Sequence, residues 1–117
     1  MSDIALAAIS GTFNTAHPDP AHRQTHLDRF PHLCAAARDL QVDIITLSSG
    51  SRDPDDMWRW HPDNTSPQAW ADSRTTLQAL AALAEDFGLI LAVEPEHSNV
   101  VATADEALYA SKRDGRN

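Results

Sequence analysis

Three short apolar runs punctuate the chain: Ile4-Ala5-Leu6-Ala7-Ala8-Ile9, Val42-Asp43-Ile44-Ile45-Thr46-Leu47 and Leu89-Ile90-Leu91-Ala92-Val93. Runs this continuous predict strands covered on both faces, as in a parallel sheet flanked by helices. The β-branched residues of the second run strengthen that reading. Between the first two, Leu27, Phe30, Leu33, Cys34, Ala37 and Leu40 recur at helical spacing, and Asp19-Pro20 supplies an N-cap with proline at the first helical position. Pro31 falls inside that stripe and predicts either a kink or a helix that starts there. Ser66-Pro67 repeats the cap signature ahead of a second stripe, Trp70, Leu77, Leu80, Leu83, Ala84 and Phe87, which Gly88 closes. Thr103 and Glu106 have capping-box spacing for a last helix that ends at Lys112, Arg113 and Gly115. The order is β-α-β-α-β-α, spaced for right-handed parallel crossovers in one domain over residues 1–117.

A chain of 117 residues with 42 % hydrophobic content suits one modest globular domain. Its formal net charge of −8 argues against a nucleic-acid partner or an anionic membrane surface, both of which call for clustered Lys and Arg. No stretch approaches the ~20 apolar residues of a membrane helix. The N-terminus opens on Asp3 rather than a basic region, and its apolar run is too short for a signal peptide. Cys34 is the single cysteine, so no internal disulfide forms, and a reducing cytoplasm fits.

The chemistry gathers after the strands. Glu94 stands where the third strand leaves the sheet, Pro95 stops the ladder, and Glu96 shares the face of Glu94 if the chain stays extended. The carboxyl ends of parallel strands are where α/β proteins place their sites. The loop Ser48–Ser66 is long for a compact domain and holds Arg52, Trp58, Arg59, Trp60 and His61. Its rings suit the apolar face of a bound ligand and its cations suit phosphate or carboxylate. Equally, the tryptophans could fold the loop onto the rim while the arginines pair with Asp53, Asp55 and Asp56. Arg52, after Ser48-Ser49-Gly50-Ser51, is the preferred anion contact. Asn14 and His17 lie on the loop after the first strand and face the same rim as candidates for bonding substrate hydroxyls. His22, His26 and His32 fall on a solvent face of the first helix and are assigned no function. Asp53-Pro54-Asp55-Asp56 lacks the glycine and terminal glutamate of a calcium loop.

Ser10-Gly11-Thr12-Phe13-Asn14 with Ala16-His17-Pro18-Asp19, then Arg52 to Asn64, then Ala92-Val93-Glu94-Pro95-Glu96, together resemble the sugar phosphate isomerase/epimerase family of xylose isomerase-like TIM barrels. The resemblance implies a partial (β/α)8 barrel: three βα units with a parallel three-stranded sheet, where a full barrel takes ~250 residues. By that analogy these are the third to fifth units, with the first two and last three absent. Open sheet edges then predict marginal stability or self-association. The resemblance further implies that Glu94 is a catalytic residue and a ligand to a divalent metal, Mn²⁺ or Mg²⁺, whose shell is completed from later strands. Glu96 is a second metal candidate, against the alternative of a salt-bridged rim acid. The substrate implied is a sugar or sugar phosphate, and the reaction is proton transfer beside a carbonyl through an enediolate. The expected function is therefore a segment of a metal-dependent isomerase or epimerase, inactive alone. The alternative is a non-catalytic α/β module that binds a sugar or self-associates.

Overall fold

Both long helices begin where their caps predict. A computed structural model describes residues 4–110 of the chain. Its elements are β1 (Ile9–Ser10), α1 (Pro20–Asp39), β2 (Ile44–Leu47), a 3-10 turn at Pro62–Thr65, α2 (Pro67–Asp86), β3 (Ile90–Val93) and α3 (Ala104–Ala110). The Asp19 carboxylate accepts from the Ala21 amide at 2.9 Å and the Ser66 hydroxyl accepts from the Ala69 amide at 3.1 Å, each satisfying a donor that the first helical turn leaves over. Thr103 and Glu106 form the expected reciprocal box, with both bonds at 3.1 Å. Gly88 ends α2 with φ at +68°, a conformation glycine adopts without penalty. Gln41 does the same after α1 with φ at 58°, without glycine's freedom.

The three strands form one parallel sheet in the order β1-β2-β3. The register aligns Ile9 with Ile45 and Ile45 with Leu91, and then Leu47 with Val93. These residues share one face, and α1 and α2 cover it. Ile45 and Leu47 are buried against Phe30, Cys34 and Ala37 of α1 and Leu77, Leu80 and Ala84 of α2, with Ile9, Leu91 and Val93 packed alongside. Alternation turns Ser10, Thr46 and Ala92 to the opposite face. Cys34 is fully buried in this core, and burial pushes its thiol pKa up, which leaves it a packing residue rather than a nucleophile.

Three expectations need correction. The first strand is two residues long, not the six of Ile4–Ile9, and Ile4 and Leu6 stay 83 % and 56 % exposed. Its pairing with β2 begins at Ile9 opposite Ile45, and β2 itself starts only at Ile44. The second strand likewise omits Val42, whose amide bonds back to the Ala37 carbonyl of α1 while its side chain is buried, and Asp43, whose carbonyl accepts from the Ile90 amide just before the strand begins. Of the two readings of Pro31, a helix that starts there is excluded, since α1 runs 20 residues through it. Lys112, Arg113 and Gly115, read as the end of the last helix, lie outside the described residues, as does Asp3. Among the described residues no helix is long and apolar enough to cross a membrane.

Candidate functional site

Three connections rise from the carboxyl ends of the strands: residues 11–19 after β1, 48–66 after β2 and 94–103 after β3. Three buried asparagines knit them together. The Asn14 amide group donates to the Ser51 carbonyl at 2.8 Å and the Asp53 carbonyl at 3.3 Å, while its oxygen accepts from the Ser51 and Ala16 amides at 3.0 and 3.2 Å. Asn64 accepts from the Arg52 amide at 2.7 Å and the Ser51 hydroxyl at 3.2 Å, and donates to the Ser98 carbonyl at 3.1 Å. Asn99 accepts from the Gly50 amide and donates to the Met57 carbonyl, both at 2.9 Å. An amide side chain carries two donors and an acceptor on one rigid plane, so it can replace a missing stretch of sheet ladder between loops. Gly50 makes this possible: its φ is +89°, and a Cβ there would lie 2.0 Å from the Asn14 oxygen.

Serines and a threonine complete the junction. Ser49 accepts from the Val101 amide at 2.8 Å through its hydroxyl, and its carbonyl accepts from the Thr15 hydroxyl, which also meets Ser73 of α2 at 2.8 Å. The segment Ser48-Ser49-Gly50-Ser51 is buried throughout. It is the keystone of the rim rather than an open cradle of amides.

Glu94 projects from this rim. Its amide continues the ladder to the Leu47 carbonyl at 2.8 Å, and its side chain follows Ala92 onto the face opposite the helices. The residue is exposed. Glu96, half-buried, opens a turn in which its carbonyl accepts from the Asn99 amide at 2.8 Å and its amide donates to the Val101 carbonyl at 3.1 Å. Among the described residues no three His, Cys, Asp or Glu side chains gather so as to hold a metal ion. The donor set therefore does not fit a complete divalent-cation shell, which needs several oxygen or imidazole ligands around one point.

The remaining candidates divide by what already engages them. Arg52 points to α2, where its guanidinium pairs with Asp72 at 2.9 Å and donates to the Ala16 carbonyl at 3.1 Å, with 12 % of its side chain exposed. Asn14 has its amide wholly engaged, as above. His17 is buried, with one ring nitrogen accepting from the Asp19 amide at 3.0 Å and the other 3.2 Å from the Pro54 carbonyl. His61 caps the 3-10 turn by accepting from the Asp63 amide at 3.0 Å. Trp58 and Trp60 remain 52 % and 54 % exposed, with ring area to offer. Both readings of the long loop thus apply in part: the tryptophans stay open, while Arg59 pairs with Asp53 at 3.5 Å and Asp56 at 3.9 Å.

Asp53 organises that loop. The Asp55 amide above all, then the Asp56 amide and the Arg59 and His61 charges, hold its carboxyl below the ordinary carboxylate range against the opposing effect of burial. A cleft of about 420 Å³ opens between the loops after β2 and β3 and the starts of α2 and α3. Its walls include Trp60, Ser66, Trp70, His97 and Glu106, but neither Glu94 nor Arg52. Sequence reasoning missed Asn64 and Asn99; the available signal was amide residues in loops that directly follow strands.

A model of the xylose isomerase-like TIM barrel family matches residues 2–116. No curated protein matches the chain.

Proposed function

Since the chain belongs to the xylose isomerase-like TIM barrel family, we propose that it serves as a segment of a sugar or sugar-phosphate isomerase or epimerase. Glu94 carries this reading: it is an exposed carboxylate one residue past β3, on the sheet face that the helices leave open. Its carboxylate takes a proton from the carbon beside the sugar carbonyl, and the C–H electron pair becomes the double bond of an enediolate. Return of a proton to the neighbouring carbon gives the isomer, and return to the opposite face of the same carbon gives the epimer. Trp58 and Trp60 offer faces to the apolar side of the ring. Arg52, Asn14 and His17 act on substrate only through the loops they brace.

Mn²⁺ or Mg²⁺ belongs to this reading with Glu94, and secondarily Glu96, as donors. The described residues supply no three-ligand set, so turnover by this chain alone is not expected. That same observation favours a second reading, a non-catalytic module that binds a sugar on the tryptophan faces or associates through its sheet edges.

Thermal unfolding of the purified chain with Mn²⁺ or with sugars, alongside Glu94→Gln, tests both. Ligand that binds only the folded state raises the Tm by linkage. A Mn²⁺ shift that vanishes in the variant supports the enzyme-segment reading. A sugar shift without any Mn²⁺ effect supports the module, and no shift with either refutes ligand binding at this rim. Robust isomerisation by the pure chain would overturn the incomplete-site argument.

A further inference from the structure

The rings of Phe13, His26, His22 and His17 stand in a column between the loop after β1 and the first turns of α1. Phe13 stacks on His26 with centroids 4.7 Å apart and planes 10° from parallel, His26 meets His22 at 4.8 Å and 49°, and His22 stacks on His17 at 3.8 Å and 12°. The i, i+4 spacing sets His22 and His26 one above the other on the helix. The returning loop then brings a ring to each end, so this helix face is not the solvent face the sequence suggested.

His17 ties the column to both loops through its ring nitrogens. One nitrogen, Nδ1, accepts from the Asp19 amide, so it carries no hydrogen; the other, Nε2, meets the Pro54 carbonyl, which can only accept. Asp19, whose amide donates to His17, is also the residue that caps α1.

We propose that this column is an acid-sensitive latch, in which the neutral rings of His22 and His26 fasten the loop 13–19 to α1 by stacking on His17 and Phe13, and their protonation releases it. The charged groups around it do not provide a carboxylate for every ring. From the loop, Asp19 favours a proton on His22, but its carboxylate is committed to the Ala21 amide. From α1, Arg29 opposes a proton on His26, and Arg23 donates to the His17 carbonyl while facing Asp72 of α2 at 3.8 Å. From the loop after β2, the flanking Asp53 is engaged by Arg59 and two backbone amides.

The direction of titration agrees. Burial foremost, then the neighbouring His17 and His26, lowers the pKa of His22; burial, Arg29 and His17 lower that of His26. A histidine with a lowered folded pKa costs nothing above its unfolded value of ~6.5. It subtracts stability as pH falls below that value, because the unfolded form then binds the proton first.

Hydrogen–deuterium exchange of the whole chain at pH 7.5 and 5.5, corrected for intrinsic rates, tests the latch. Protection over residues 11–24 should fall at least tenfold at the lower pH while that of 67–86 holds, and His22→Gln with His26→Gln should flatten the dependence. Equal loss across the chain, no loss, or unchanged dependence in the variant would overturn the proposal. Should the variant not fold, ring-proton NMR of the native chain decides: His22 and His26 must titrate below a free imidazole, and titration at the free value sinks the latch.

Discussion

Asn14→Ala tests whether the rim is braced from within. The substitution removes four hydrogen bonds, two of good length to the two backbone groups of Ser51 and two longer ones to Asp53 and Ala16. Ser51 is fully buried, so its amide loses its partner with no water to replace it, and its carbonyl loses a donor. A buried polar group left unmet costs about 1–3 kcal/mol, and the longer bonds add less. The expected loss is therefore about 3–5 kcal/mol, against a total of roughly 5–15 kcal/mol for a domain. Urea unfolding followed by tryptophan fluorescence reads it directly, since Trp58 and Trp60 lie in the loop that Asn14 braces. With a slope of about 1–3 kcal/mol/M, the midpoint should fall by roughly 2 M. A cooperative transition weakened by less than about 1 kcal/mol would refute the reasoning and return the Asn14 amide to the list of substrate contacts.

Gly50→Ala should destabilise by about 3 kcal/mol or more, because a left-handed φ and a Cβ driven into Asn14 add strain to the loss of those same bonds; a midpoint within error of the parent would contradict it. Arg52→Ala should cost about 2 kcal/mol in the same assay, as Asp72 loses its close ion pair and keeps only the neutral Gln68 amide at 2.8 Å and Arg23 at 3.8 Å, whereas an anion-binding arginine on the rim would leave stability untouched. Asp53→Asn should remove part of the acid sensitivity: with its folded pKa lowered, Asp53 contributes stability above its unfolded value of ~3.9 that is lost as pH falls through the folded value. The urea midpoint should then drop less between pH 6 and pH 3 in the variant than in the parent, and equal drops would count against the role given to the Asp55 and Asp56 amides.

What the chain settled locally was settled by groups within one helical turn of each other. Ser66 with Ala69, Asp19 with Ala21, and Thr103 with Glu106 are caps whose partners lie two or three residues away, and each formed as its spacing predicted. Likewise the period-two alternation of β3 carried Glu94 to the face opposite Leu91 and Val93 without any distant contact. Only the tertiary structure could decide the rest. Ile4 to Ala8 has the composition of a strand, yet the ladder with β2 begins only at Ile9 opposite Ile45. Arg52 and Asn14 looked free for substrate because their partners, Asp72 and Ser51, stand 20 and 37 residues away. Parallel crossovers bring such loops together at one end of the sheet, and a side chain's role there depends on which buried donor or acceptor it meets first.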